Sequence, residues 1–592
     1  MATSSTARPE PGGRTPPAGP VDGLEETVRH VRRLPARTGV HGDWPAWLPA
    51  DVVAALGRAG IDRPWVHQVQ AAEAAWLGRH VALATGTASG KSLGYLMPVL
   101  AATYAGSQPL GRDRPEPSGA AAWLTTTRAH TALYLSPTKA LAHDQLRACA
   151  ALGLPGWGLA AVDGDAEPSL RDWARDHAAY VFSNPDLLHR SLLPGHARWS
   201  RFLGTLRFVV VDEAHRYRGV FGAQVGLVLR RLRRLAAHYG ADPVFITASA
   251  TATDAAGSTA TLIGAEADEV LAVEVDTSAR GPVELVLRQP DADPDEVTAD
   301  LLARSVASGA QTLAFVASRR GAELVARRAQ LQLDVWSARE AEPRPGTPTP
   351  AGATASSPAG ATCAAPVTSA VTTATGTSRR VAAYRGGYLA DDRRELERAL
   401  QEGRLGGLAA TNALELGVDV AGLDAVILSG FPGTRSAFWQ QAGRAGRRGQ
   451  PAAVTLVGRQ HPLDAYLLEH PAALLDAPVE PTVLHPDNPY LLAPQLAAAA
   501  QELPVTPRDA LYFGATTLEV LERLTAAGRL RRRPDGWYWT RPDRAVDAID
   551  LRGGRGGSVE IVELDSGRVL GHVDPVSADR VVHPGAVYLH KG

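Results

Sequence analysis

The sequence predicts an α/β protein: two parallel-sheet domains in tandem, followed by a smaller winged-helix-like α+β C-terminal region. Three observations lead there. Short apolar, β-branched runs alternate with helix-length segments in two successive series, and a phosphate-type loop follows the first run of the first series. After about residue 480 the alternation gives way to Ala/Leu-rich helices and a hairpin. At 592 residues the chain also exceeds a single core, since cores stop growing at roughly 250 to 300 residues.

Taken in order, residues 1–25 are rich in Pro, Gly, Ser and Thr, with little to bury, and are expected to form a disordered tail. From 40 to 280 the runs HVALAT, ALYLSP, YVFSN, RFVVVDE and VFITASA are each separated by a helix-length stretch. Continuous apolar runs of this length suit strands covered on both faces, as in a parallel sheet. From 281 to 480 a second series follows: TLAFVAS, RVAAYRG, GLAATN and DAVILSG. It is interrupted at 340–378 by a Pro/Ala/Thr/Gly-biased stretch, expected to be a disordered insertion because loops that long are rare inside a domain. Over 481–592, TLEVLERLTAAGRL followed by GWYWT gives the helix-then-hairpin order of a winged helix.

The formal charge of −1 leaves no global basic field, so any nucleic-acid groove must be local. Two cysteines, Cys149 and Cys363, cannot build a zinc cage or a disulfide framework, and suit a reducing compartment. No apolar run has signal-peptide character or approaches the ~20 residues of a membrane span. The expectation is a soluble, cytoplasmic protein with no membrane partner.

The chemistry starts at TGTASGKS: Thr85, Gly86, Thr87, Ala88, Ser89, Gly90, Lys91 and Ser92. A loop between a strand and a helix lets backbone N–H groups cradle phosphates, while the Lys91 ammonium reaches the β and γ oxygens and the Ser92 hydroxyl holds Mg²⁺. Thr85 stands where the strict pattern has its first Gly. The chain has only three lysines, Lys91, Lys139 and Lys591, and writes its other basic positions as Arg. Lysine at 91 therefore suits a site where a compact ammonium fits and a planar guanidinium does not. Downstream, RFVVVDEAH ends an apolar strand with two carboxylates, where an open parallel sheet presents its ligand site. Asp212 would position Mg²⁺, and Glu213 would orient and deprotonate an attacking water.

With these two, LSPTKALAHDQ (135–145), SNPDLLH (183–189), SAT (249–251), FVASRRGAE (315–323), ATNALELGVDV (410–420) and QQAGRAGR (440–447) resemble, in order, the motifs of superfamily-two helicases. HRYRGVFGAQVG (215–226), AYRGGYLADDRRELE (383–397) and YLHKG (588–592) are similar to the DEAH-type DNA-repair helicases of the MrfA class. The resemblance covers nearly all of the chain from about residue 40. It implies two RecA-like domains with ATP and Mg²⁺ bound between them. It further implies an adenine contact from Gln68, arginine fingers at Arg444 and Arg447, and Gly417 and Asp419 on the second domain's side of the cleft. Ser249, Ala250 and Thr251 are implied to couple the nucleotide to nucleic-acid binding. Thr138, Lys139, Ser183, Asn184, Asp186, Ser318 and Thr411 are implied to contact phosphates of the tracked strand, without reading sequence.

The implied activity is ATP-dependent DNA unwinding or translocation on single-stranded or forked DNA, 3′→5′, in DNA repair. An RNA helicase of the DEAD/DEAH type is the alternative. DEAH followed by RYRGVFG, Gln440 where the DEAD-box class has His, and the winged-helix-like tail all favour DNA. A DNA-binding translocase core that does not unwind, or a protein that docks on forked DNA without turnover, also remains open. Members of the class continue past the YLH-G segment into a four-cysteine zinc region, and have Cys in the segment that here reads LAAAAQELPV. The expectation is a truncated C-terminal domain with no zinc in this chain.

Two basic runs stand apart. VLRRLRRLAAHYG (228–240) has helical spacing and is expected to be a solvated helix face, with a duplex contact as the alternative. RLRRRPDGWYWT (529–540) joins arginines to aromatics, and is either a nucleic-acid contact or a wing packed on its own domain. His583 and His590 have no companion ligands and are expected to be structural.

Overall fold

The structure is a computed structural model that describes residues 27–104, 130–250, 253–341, 380–385, 388, 390–411, 423–446, 449–552, 559–564, 566–567, 569–573 and 582. The expected tail at 1–25, nearly all of the expected insertion, and both His583 and His590 lie outside these residues. The helix Arg319–Ala341 runs into the expected start of that insertion. Contacts divide the chain into two compact units, Gly39–Ser278 with Pro478–Gly592, and Met1–Thr38 with Ala279–Ala477.

In chain order the strands are β1 (Val28–Leu34), β2 (His80–Leu83), β3 (Thr131–Leu135), β4 (Leu159–Ala161), β5 (Tyr180–Ser183), β6 (Leu206–Val211), β7 (Val244–Ala248), β8 (Val270–Val273), β9 (Val283–Arg288), β10 (Thr312–Phe315), β11 (Val381–Tyr384), β12 (Gly407–Ala410), β13 (Ala425–Ser429) and β14 (Ala452–Val457). The first unit holds an all-parallel seven-stranded sheet, ordered β4-β5-β3-β6-β7-β2-β8. Its central strands are buried along their whole length, because helices cover both faces, and this is why they read as unbroken apolar runs. One face packs Val181, Val209 and Phe245 against the helix Gly219–His238; the other packs Val81, Tyr134 and Ile246 against the helix Lys91–Thr103.

The second unit also has a seven-stranded sheet, β1-β9-β14-β13-β10-β12-β11, parallel except for β1, which pairs antiparallel with β9. Strand β1 lies upstream of the first domain in sequence, and the sequence reading left it unassigned. VRHVRRL places its apolar residues three apart, so it shows no two-residue period. As an edge strand it is only half-buried, and Arg32 pairs with the exposed Asp476 at 2.8 Å.

The C-terminal region joins the first unit. Helices Pro489–Glu502 and Thr517–Ala526 precede the hairpin β15 (Leu530–Arg533) and β16 (Gly536–Trp539), with Val505 joined to Trp537 by an isolated bridge. This is the expected winged-helix order. Leu492, Leu496, Phe513, Val520, Leu521 and Trp537 share their core with Leu227 of the helix Gly219–His238. A last hairpin, β17 (Val559–Val562) with β18 (Val569–Val573), follows.

That shared core overturns the reading of residues 228–240 as a solvated face. Arg230, Arg231 and Arg234 are all buried. Arg231 donates to Gln495 Oε1 at 2.8 Å and Glu502 Oε2 at 3.2 Å, and lies 2.8 Å from His189 Nδ1. Arg234 donates to Asp509 Oδ1 at 2.9 Å and to the carbonyls of Ala499, Leu503 and Pro504 at 3.0, 3.0 and 2.6 Å. These carbonyls close the end of helix Pro489–Glu502, which leaves acceptors open to a guanidinium fork. Helical spacing of charge was read correctly. The sequence does not show which surface those charges meet.

Removing one partner of a buried ion pair strands the other charge. Arg231→Ala is therefore expected to destabilise the first unit by roughly 3–5 kcal/mol. Arg523→Ala, at the exposed 2.6 Å pair with Glu519, should shift it by less than about 0.5 kcal/mol. Urea unfolding of both variants against wild type checks the contrast.

Candidate active site

Strand β2 runs buried between β7 and β8 and delivers the chain at Ala84 to the loop 85–90. Gly90 turns that loop into the helix Lys91–Thr103 at φ +76°, and a Cβ there would lie 2.6 Å from Gln68 Nε2. The position requires glycine on both counts. Where the strict pattern has its first Gly, buried Thr85 instead joins its hydroxyl to that of buried Ser89 at 2.7 Å, stapling the loop across its base. Lys91 Nζ donates to the carbonyls of Gly86 at 2.8 Å and Thr85 at 3.1 Å, so the ammonium sits over the loop. Ser92 occupies the first turn of the helix, where free N–H groups and the helix dipole favour an anion.

Gln68 is buried beside this loop. Its Nε2 donates to Gly90 O at 2.8 Å, and its Oε1 accepts from Trp65 N at 2.8 Å. His67, also buried, lies 3.1 Å from Ser89 O and 2.8 Å from Thr277 Oγ1. The pair braces the phosphate loop from behind, so the Gln68 amide must exchange a partner to reach a base.

Asp212 and Glu213 follow β6, two strands from β2 in the same sheet. Asp212 Oδ1 accepts from the Glu213 amide at 2.8 Å, and Oδ2 accepts from Tyr134 Oη at 2.6 Å and Tyr95 Oη at 3.3 Å. Burial pushes its pKa up, opposed by the Tyr134 hydroxyl, the Glu213 amide and the Lys91 charge. A carboxylate so desolvated, near a lysine and the first turn of a helix, suits a divalent cation, and the residues present fit Mg²⁺ with Ser92 as its partner ligand. The sequence reading missed Tyr95 and Tyr134. Tyr95 stands one helical turn after Lys91, and Tyr134 pairs in register with Val210, just before the DEAH segment; the spacing was there to find.

Glu213 adopts φ +51° and Ala88 φ +61°, the two non-glycine residues of positive φ among the described residues. Both lie in the motifs assigned to nucleotide chemistry, where backbone strain is held by surrounding structure. His215 Nδ1 lies 3.3 Å from Glu213 Oε2. Burial, then Arg216, Lys91 and Arg218, drop the imidazole to about 3, so it meets Glu213 as a neutral ring at pH 7. Ser249 is buried at the end of β7, its amide bonded to Leu83 O at 3.0 Å and its Oγ without a partner among the described residues. It borders a cavity of about 30 Å³ with Leu83, Ala84, His215, Thr482 and Leu484, room for about one water. Ala250 is buried beside it.

The residues implied to hold nucleic acid cluster at the carboxyl ends of β3 and β5. Thr138 Oγ1 caps the helix Lys139–Ala150 by accepting from Leu141 N at 3.3 Å, and Asn184 Oδ1 accepts from Leu187 N at 2.9 Å. Ser183 Oγ donates to Val162 O at 2.8 Å. These side chains are occupied internally, so they would serve a phosphate by presenting backbone N–H groups. Lys139 is half-exposed and paired with Asp165 at 2.5 Å, while Asp186 pairs with Arg552 at 3.3 Å. In the second unit Ser318 caps the helix Arg319–Ala341 through Gly321 N at 2.9 Å, Thr411 follows β12, and Arg444 follows the helix Arg435–Ala442. Thr251, Gly417, Asp419 and Arg447 lie outside the described residues.

A phosphate loop leaving one strand and an acidic pair leaving another strand of the same parallel sheet define a P-loop nucleoside triphosphatase, here with a second parallel-sheet unit. The DEAD/DEAH box helicase family matches residues 65–258, the helicase conserved C-terminal domain 366–449, and the winged helix domain of ATP-dependent helicase HRQ1 484–554. Bacillus subtilis YprA, an uncharacterized ATP-dependent helicase, is 32% identical over 96% of this chain and 69% of its own. The ATP-dependent helicase HRQ1 of Saccharomyces cerevisiae is 31% identical over 95% of this chain, which spans 49% of it. The crystal structure of the DUF1998 helicase MrfA bound to DNA matches with 30% identity and TM-score 0.77, over 96% of this chain and 69% of that one; the form bound to DNA and AMPPNP gives 0.76. The chain belongs to the superfamily-two DEAD/DEAH-box helicases, in the class of MrfA, with the tandem RecA-like fold of ATP-hydrolysing helicases.

Among the described residues, no group of three or more His, Cys, Asp or Glu side chains is gathered to hold a metal, and no helix is long and apolar enough to cross a membrane.

Gly90→Ala is expected to weaken nucleotide binding by roughly tenfold, from ~1–2 kcal/mol of left-handed strain and displacement of Gln68, as read by fluorescent-nucleotide titration. A pH dependence also follows from His215 and from His189, which burial and Arg231 drop to about 3. Both rings stay neutral in the fold but protonate in the unfolded chain near 6.5. Stability is then complete above about pH 6.5 and falls, by up to ~1.4 kcal/mol per pH unit for each ring, as pH drops towards 3. Unfolding free energies measured from pH 7.5 to 5 should show the decline, and His189→Gln should make it shallower.

Proposed function

We propose that this chain is an ATP-driven DNA helicase that moves 3′→5′ along the single strand of a forked or tailed duplex and serves DNA repair in the cytoplasm. The observation that carries the reading is the arrangement of Lys91 over the phosphate loop with Asp212 and Glu213 on the same sheet. Support for DNA over RNA comes from the MrfA structures bound to DNA, and from the winged-helix region that extends the first unit.

In this reading the loop amides and Lys91 bind the phosphates and fix their orientation. Ser92 and Asp212 would hold Mg²⁺, which would supply charge neutralisation to the triphosphate. Glu213, strained at φ +51°, points its carboxylate for general-base work on the attacking water, with His215 beside it as a neutral neighbour. Gln68 supplies the adenine contact after releasing a backbone partner. Arg444 and Arg447, with Gly417 and Asp419, belong to the second unit. By the roles of their motif, Arg444 and Arg447 would place a guanidinium on the transferring phosphoryl group. Ser249, Ala250 and Thr251 relay the nucleotide state. Thr138, Lys139, Ser183, Asn184, Asp186, Ser318 and Thr411 hold the strand backbone without reading bases.

The deciding experiment measures ATP hydrolysis by wild type and Glu213→Gln, with and without single-stranded DNA or RNA of equal length, alongside strand separation on a 3′-tailed duplex. DNA-stimulated hydrolysis that drops by roughly 10²-fold or more in Glu213→Gln, with duplex opening, is the expected result. Stimulation by RNA alone would overturn the DNA reading, and stimulated hydrolysis without opening would reduce the protein to a translocase. Arg444→Ala should lower kcat while leaving nucleotide affinity near wild type.

A further inference from the structure

The winged helix carries charge where a groove-reading module does not. In a helix-turn-helix protein the recognition helix enters the major groove. Here the corresponding helix, Thr517–Ala526, exposes Glu519, Glu522 and Arg523, and Arg523 is neutralised by Glu519 at 2.6 Å. That face repels or ignores a polyanion.

The hairpin differs. Register pairs Leu530 with Trp539 and Arg532 with Trp537 on one side, and Arg531 with Tyr538 on the other. Leu530 and Trp537 are buried, and Arg532 lies 5.1 Å over the Trp537 ring and pairs with Glu522 at 2.9 Å, so the inner side is spent on the domain. On the outer side Arg531 and Arg533 are exposed. Arg529, also exposed, is the bend residue just before β15, its carbonyl accepting from Thr540 Oγ1 at 3.1 Å. None of the three forms an ion pair among the described residues. Within β15 the backbone positions of Arg531 and Arg533 are about 6.6–6.8 Å apart, given a rise of ~3.3–3.4 Å per residue.

We propose that this outer row, Arg529, Arg531 and Arg533, grips the phosphate backbone of the duplex part of the substrate, and that the recognition helix takes no part in nucleic-acid binding. The inference rests on the DNA reading above and assigns a surface that reading leaves open. Duplex is favoured over single strand by the aromatics. Sites for single strands combine a basic groove with open stacking platforms. Here Trp537 is buried, Trp539 Nε1 is bonded to Asp543 O at 2.9 Å, and Tyr538 has Arg533 5.1 Å over its ring and its hydroxyl bonded to Asp535. A row of exposed cations beside rings already engaged within the hairpin suits a backbone of dense, evenly placed phosphates.

The test uses the full chain with Arg529→Ala, Arg531→Ala and Arg533→Ala combined, and a second variant with Arg→Lys at the same positions. Binding to blunt duplex, 3′-tailed duplex and single-stranded DNA is read by fluorescence anisotropy across a salt series. The expected result is weaker duplex binding, with the slope of log K against log salt reduced in magnitude by about 2 to 3, the loss of three phosphate contacts. Single-strand affinity and single-strand-stimulated kcat should stay at wild type, and the lysine variant should keep most of the slope. An unchanged duplex slope, or an equal loss on single strands, overturns the proposal. Failure of wild type to hydrolyse ATP with DNA would sink the functional reading while leaving this binding comparison decidable.

Discussion

The first unit depends on the burial of one guanidinium. Arg231 has no exposed side-chain surface and Glu502 almost none, so neither charge can keep water, and each requires the other together with its neighbouring acceptors. That requirement places Gln495, itself bonded to Gln224 at 2.6 Å, and His189 of SNPDLLH around the same group. Three distant stretches of chain meet there: the segment implied to hold nucleic acid, the helix that leaves the DEAH motif, and the first helix of the winged region. The winged region is thereby part of the first unit's core, and its surface residues are held in fixed relation to the nucleotide site.

The phosphate loop shows a second constraint. Nearly every polar side chain around it is already engaged: Thr85 with Ser89, Gln68 with Gly90, Lys91 with two loop carbonyls, and Asp212 with two tyrosines. The site is preorganised by its own hydrogen bonds, so binding a triphosphate exchanges partners and does not have to order loose groups. The left-handed backbone at Ala88 lies inside the Thr85–Ser89 staple, and that at Glu213 has its amide bonded to Asp212 Oδ1.

The sequence made much of the site legible because phosphate and magnesium chemistry is carried by short, contiguous stretches. TGTASGKS and DEAH place their groups through local strand-to-loop geometry, and the order of the motifs identified the family before any contact was known. The tyrosines that hold Asp212 were harder to read. They lie outside the motifs, and only the register of β3 against β6 brings Tyr134 to the carboxylate.

What the sequence determined by itself was every feature set within one element: strand runs buried on both faces, the glycine turn into a helix, the acidic pair after a strand, and the helix-then-hairpin order. Tertiary structure alone decided which surfaces met. It carried VRHVRRL, ahead of the first domain, to the edge of the second sheet. It also turned the arginines of VLRRLRRLAAHYG inward while leaving Arg531 and Arg533 outward. The physical reason is that a guanidinium's place depends on whether acceptors come to it from elsewhere in the chain; here they came from the end of helix Pro489–Glu502, 265 to 271 residues away along the chain.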